Sequence, residues 1–221
     1  MMNQPSEAEV VEAVIRRRRT EKVLLDPDHA EPAPVEVVER NAPLVRSAIE
    51  AAGWAPFHYP RGVDGVAEPW RARLIGQEKA LETARHLRDN LADTGKLPML
   101  LAGCNAAVLV TWLPETDSTE PAPEPRKLQE LRRRDEEHLA AASAFVQNLL
   151  LLLTAHGMGT YWSSGGGLRS PEMYTHLGIP AGESFLAAVF IEYPELASAD
   201  RGRKPGALRD KRSTGWLREP T

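Results

Sequence analysis

The chain has 221 residues, and its balance of 42% hydrophobic to 26% charged residues gives it enough apolar material for a buried core and no sign of general disorder. A formal net charge of -4 speaks against a protein whose main work is gripping nucleic acid over a broad face. One cysteine, Cys104, cannot close an intramolecular disulfide, and the six histidines lack zinc-type spacing, so a reducing, cytoplasmic setting without a structural metal is expected.

In chain order, Ser6 and Glu9 stand at capping-box spacing before Val10, Val11, Val14 and Ile15, which predicts a helix ending near Arg18 with no secretory leader. A second helix is expected from an N-cap at Asn41, with Leu44, Val45, Ala48, Ile49 and Ala52 on one face and a stop at Pro56. "PWRARLIG" alternates as a strand should, and "EKALETARHLRDNLAD" returns to helical spacing. "AAVLVTWL", Ala106 to Leu113, is apolar on both faces, as a strand covered from both sides would be. Residues 114–127 hold prolines and acids and read as an exposed loop or flap. Residues 128–156 contain neither Gly nor Pro and can form one helix of about 44 Å at 1.5 Å per residue. Its second half is apolar all round, which calls for burial on every side, at the centre of the fold or against a second subunit. That apolar run falls short of the roughly 20 residues of a membrane span, so a core helix is expected and no membrane partner. Ser170 and Pro171 mark a short helix closed by Gly178, and "FLAAVFIEY", Phe185 to Tyr193, is another buried strand. No strand-helix unit repeats, so the fold class is α+β and not doubly wound.

Three stretches could carry chemistry. "RRRRTEK", Arg16 to Lys22, offers guanidinium forks, a hydroxyl and an ammonium suited to a phosphate, or is a solvated helix end or a nucleic-acid arm. "AGWAPFHYPRGVDGVAEPW" breaks a helix and passes Trp54 and His58 through a loop of the kind that lines ligand sites, although a lone histidine is more often structural. "GTYWSSGGGLRSPEM" carries Trp162, Ser163, Ser164, Gly165 and Gly166. It matches neither a Rossmann fingerprint nor a P-loop, and reads either as an ordinary loop or as backbone lying close to a ligand.

Taken together these stretches resemble the nitroreductase family over roughly Val11 to Arg209. The resemblance rests on Arg18-Arg19-Thr20 with Lys22, on Ala51, Ala52, Ala55 and Pro56, on Glu68-Pro69-Trp70, on Gln147-Asn148, on Gly157, Gly159 and Trp162, on "LGIP" and "EYPE", and on Arg201 and Arg203. It implies a single domain over 1–221 with a central mixed or antiparallel sheet flanked by helices, a long central helix at a homodimer interface, and a C-terminal extension over 200–221 wrapping the partner. It implies FMN as cofactor, NADH or NADPH as reductant, and a nitroaromatic, quinone or related small molecule as acceptor. Arg18, Arg19, Thr20 and Lys22, with Arg201 and Arg203, would hold the phosphate, ribityl and pyrimidine edge. Trp54 and His58 would add contacts, His58 reaching the flavin of the other subunit, and Trp162 to Gly166 would flank the ring. On that reading, a β-branched residue at Gly165 or Gly166 should cost flavin before it costs folding. No catalytic acid or base is implied, because the cofactor carries the chemistry.

The chain departs from the family at Phe57 and His58, in the longer loop "YPRGVDGVA", and at Glu68, whose carboxylate cannot donate as an amide would. Those departures leave open a flavin-storage protein with little turnover, or a specialised flavin-modifying or dehalogenating member.

Overall fold

The computed structural model describes residues 4–116, 124–197, 204–206, 211 and 213–219. The capping box closes as its spacing predicts: Ser6 Oγ accepts from Glu9 N–H at 3.3 Å and Glu9 Oε2 accepts from Ser6 N–H at 2.7 Å, opening α1, Glu7–Arg17. A two-residue strand β1, Glu21–Lys22, follows. Helix α2 spans Val35–Ala52 and begins at Pro34, more than a turn before the expected N-cap. Asn41 followed by Pro43 imitates a helix start, but Asn41 lies inside the helix, 2% exposed, its Nδ2 donating to Val37 O and to Glu195 Oε2, each at 2.9 Å. Asn41→Ala is therefore expected to lower folding stability by about 1–2 kcal/mol in denaturant titrations, because buried hydrogen bonds are lost with the amide.

Strand β2, Trp70–Gly76, and helix α3, Gln77–Asn90, agree with the sequence pattern. Helix α4, Leu97–Gly103, has no sequence counterpart above, since a short run of uniformly buried residues carries no periodicity. After it come β3, Ala106–Trp112, α5, Pro125–Ala155, β4, Gly159–Ser163, a 3₁₀ turn at Gly166–Arg169, α6, Pro171–Leu177, β5, Ser184–Glu192, and β6, Lys204–Pro205. The main sheet is antiparallel, in the order β2-β3-β5-β4, and β1 pairs with β6 in a separate ribbon.

Both faces of β3 and β5 are covered, which is why neither strand alternates. Val108, Val110, Val189 and Ile191 pack with α2 and α5, while Ala107, Leu109, Ala188 and Phe190 pack with α3, α4 and α6. The far end of the sheet is clamped by the Arg73 fork, which donates to Glu183 Oε2 and Oε1 at 2.7 and 2.8 Å. Burial opposes the charge on Glu183, but the Arg73 hydrogen bonds and the Thr111 hydroxyl outweigh it and hold its carboxyl below the usual range. Tyr174 Oη donates to Glu183 O and accepts from Phe185 N–H, which fixes Phe185 at the start of β5.

One expectation changes in the α5 region. The helix is the one element among the described residues long and apolar enough to cross a bilayer, and half of its most apolar window is buried inside the protein. It is thus a core helix, but one not covered all round: Leu139 and Gln147 are exposed, and α1, packed on α5, leaves Val10, Val11 and Ile15 about half exposed. Of the segment expected as an exposed loop, residues 114–116 are tied down, 124–127 are exposed, and 117–123 lie outside the described residues. Pro114 is buried, Asp135 Oδ1 accepts from Glu115 N–H at 2.6 Å, and His138 Nε2 lies 3.0 Å from Glu115 Oε1. Pro125 to Lys127 already belong to α5, because proline suits the first helical position. The insertion at 59–68 is fastened as well: Arg61 donates to Leu113 O and Pro114 O at 2.8 and 2.9 Å, and Arg71 donates to Val63 O at 2.8 Å.

Candidate active site

Helix α1 ends at Arg18, whose φ of -55° and ψ of 124° turn the chain into extended backbone. Side chains then alternate from one side to the other. Arg18 and Thr20 line a cleft of about 550 Å³ together with Gln147 and Leu150 of α5, Tyr161 and Trp162 of β4, and Ser164. Arg19 and Glu21 face the other way, into a smaller cleft of about 180 Å³ with Arg17, Thr154 and Gly157. There Arg19 Nε meets Glu21 Oε1 at 2.9 Å, and Arg17 donates to Thr154 O at 3.1 Å. The arginine run is therefore split between two clefts, with Arg18 on one and Arg19 on the other. Lys22 is on the large-cleft side, its Nζ 4.5 Å from the centroid of the Tyr161 ring.

The strand β4 that carries Trp162 was not legible as a strand, because it is only five residues long and glycines stand at 157, 159 and 165. Its position is secured by a parallel bridge from Thr20 to Thr160. Gly206 N–H donates to Thr20 O at 2.9 Å, so the β6 segment closes against the same residue. Arg201 and Arg203 lie outside the described residues.

Trp162 and Ser164 reach the cleft, but the next glycine does something else. Gly165 is buried at a φ of 101°, and a Cβ there would stand 2.6 Å from Phe185 Cε1. Its N–H is turned to Ser163 Oγ at 3.3 Å. Ser163 and Gly165 thus shape the turn that aims Ser164. Gly166 is exposed at a φ of 50°. Arg169 Nε donates to Ser164 O at 2.6 Å and ties the cleft edge to the 3₁₀ turn.

Trp54 and His58 do not line this cleft. Trp54 is 91% exposed, and His58 is exposed with its ring edge-on to Tyr59 at 5.0 Å. Gln147, Leu150 and Tyr161 are lining residues without a role in the sequence analysis, and the signal of Gln147 was an amide in the middle of an apolar helical run. Among the described residues no three His, Cys, Asp or Glu side chains come together as metal ligands.

An antiparallel α+β fold, with a cleft that opposes a guanidinium and hydroxyls to an indole and a phenol, defines a protein suited to a flat ligand with an anionic end. A sequence model described as "Nitroreductase family" matches residues 15–191. The chain belongs to the nitroreductase family. It is 28% identical, over 91% of its length and 92% of the other's, to a Bacillus subtilis (strain 168) protein named "Putative NAD(P)H nitroreductase YfhC". Among solved structures it is similar to a nitroreductase-like family protein from Bacillus cereus, with a TM-score of 0.60 and 20% identity over 96% of this chain and 97% of that one. It is also similar to a Desulfovibrio desulfuricans protein described as a "putative nitroreductase in complex with fmn", with a TM-score of 0.57 and 22% identity over 99% of both chains. At these identities the structures bear on the fold alone.

Proposed function

We propose that the protein is an FMN-dependent oxidoreductase that takes electrons from NADH or NADPH and delivers them to a nitroaromatic, quinone or related small acceptor. The observation that carries this reading is the single cleft that brings Arg18 and Thr20 to Trp162 and Ser164. Its volume of about 550 Å³ lies in the range of cofactor sites, and its donor set suits a phosphate at one end and a planar ring at the other. When bound, FMN supplies the two-electron exchange between reductant and acceptor. Arg18 would hold the phosphate by charge-assisted hydrogen bonds, Thr20 and Gln147 would offer polar contacts beside it, and Lys22 is kept near by the Tyr161 face. Trp162 gives the ring an apolar edge, and Ser164, aimed by the turn behind it, offers a polar one. Arg201 and Arg203 precede β6 in the sequence and are proposed to add phosphate contacts.

The protein is proposed to act as a homodimer. The open apolar side of α1 supports this, as does the exposure of Leu139, Trp54 and Phe57. Trp54 and His58 would then serve the site of the other subunit.

The test is the visible spectrum of the purified protein with FMN added, before and after anaerobic NADH or NADPH. Flavin absorbance that bleaches with the nicotinamide is the expected result. A protein that gains no flavin absorbance ends this reading, and flavin that binds but is not bleached points to the storage protein.

A further inference from the structure

Two helices on the side of the sheet away from α5 carry the same pair of residues at the same spacing: Glu82 and His86 on α3, and Glu172 and His176 on α6. The spacing of four places each pair on one helix face. In the fold the pairs meet reciprocally. His86 Nε2 lies 3.5 Å from Glu172 Oε1, His176 Nε2 lies 3.8 Å from Glu82 Oε1, and the two rings stack with centroids 3.9 Å apart and planes 12° from parallel. Neither Nε2 has a hydrogen-bond partner, and both are closed off from water. Near-parallel stacked rings direct their lone pairs along separate lines, so they cannot converge on one metal ion.

We propose that this stacked histidine pair is an acid-sensitive latch that fastens α6, and through it the Ser164–Arg169 edge of the cleft, to α3. Neutral rings stack face to face without penalty. A proton on the His176 ring must be carried where Nε2 is shut from solvent and against the stacked His86 ring. The opposing attraction comes from Glu82 and Glu172, whose side chains are 57% and 48% exposed and therefore screened by solvent. On α3, Lys79 adds a like charge and Asp89 a distant unlike one. Burial, followed by the His86 ring and Lys79, holds His176 below its ordinary value against the pull of the two carboxylates.

The sign follows. A histidine held low is neutral in the folded chain while the unfolded chain takes up protons, so its contribution is intact above the ordinary value of 6.5 and is lost as pH falls below it. The loss reaches the cleft through packing. Leu168 and Met173 are fully buried in one cluster with Ala84 and Leu87 of α3, and a Cβ on Gly167 would lie 3.5 Å from Leu87 Cδ1. The turn and α6 thus sit on α3 as one unit, with Arg169 and Ser170 binding Ser164 O and Met173 N–H at its two ends.

The latch is tested on the cofactor-free full chain by amide hydrogen exchange at about pH 7.5 and about pH 5.5, corrected for intrinsic rates. Residues 164–177 should exchange about tenfold faster at the lower pH relative to the rest of the chain. His176→Phe, which keeps a ring for stacking but cannot titrate, should remove most of that difference. His86→Phe is the second variant should the first not fold. Glu82→Gln should enlarge the difference, because it removes an attraction that favours the proton. Equal protection at both pH values, or the same acid response in the phenylalanine variants, overturns the proposal. The cofactor consequence rests on the flavin reading above, but exchange is read without FMN, so a negative result here speaks against the latch and not against that reading.

Discussion

Gly165→Val is expected to unfold the protein well below the melting temperature of the parent, by on the order of 10 °C, whether or not FMN is present. Two independent terms add. A β-branched residue at a φ of 101° is strained by about 1–3 kcal/mol. The new Cβ would stand 2.6 Å from Phe185 Cε1, and forcing atoms into a filled core costs about 1–3 kcal/mol more. Phe185 cannot move aside easily: it is 3% exposed, and its N–H is held by Tyr174 Oη at 2.9 Å. Gly166→Ala is the control. The nearest atom to a Cβ there is Leu97 Cδ2 at 3.9 Å, so only the strain of a left-handed φ applies, about 1 kcal/mol. Thermal melts of the two variants decide the matter. If Gly165→Val melts within a few degrees of Gly166→Ala, the packing argument is wrong. The expectation that glycine changes here would cost flavin before folding is reversed at Gly165, because the space its Cβ would need belongs to the core.

The second large effect separates two neighbouring arginines. Under the proposed function, Arg18→Ala should weaken FMN binding by on the order of a hundredfold, since a charge-assisted contact to a dianionic phosphate is lost. Arg19→Ala should change it by no more than about threefold, as a screened charge removed from a neighbouring surface. Arg19 faces the smaller cleft and is paired with Glu21 at 2.9 Å. Titration of flavin fluorescence against each variant measures both. Equal losses would mean that both guanidiniums reach the same ligand and would overturn the division of roles between the two clefts. A loss confined to Arg19 would move the phosphate to the smaller cleft.

What the sequence determined by itself is what repeats along the chain. The capping box of α1, the alternation of β2, the long uninterrupted run of α5 and the Ser170-Pro171 start of α6 are local signals, and each element forms where its signal stands. The order of family motifs was legible too, because it needs only a reading along the chain. Where local signals are ambiguous the sequence misleads: Asn41 and Pro43 imitate a helix start because both residue types also belong there, and burial of the Asn41 amide is a tertiary fact. Strand β4 and helix α4 were missed because a few residues do not make a period.

The site was divided in the same way. That arginines, hydroxyls, an indole and glycines would matter could be read from residue types alone. Which of them share a cleft could not, because it depends on where α1 stops. Once the chain turns extended at Arg18, a single residue decides which side of the backbone a charge occupies, and Arg18 and Arg19 part. Gly165 looked the same as Gly166 in the sequence, and only Phe185, arriving on a strand from a later part of the chain, tells them apart. The pairing of Glu82 and His86 with Glu172 and His176 likewise joins two unremarkable helical spacings that come together only when the sheet brings α6 beside α3. Local free energy writes the elements, while the identity of a cleft is set by contacts between residues far apart in sequence, which no single stretch encodes.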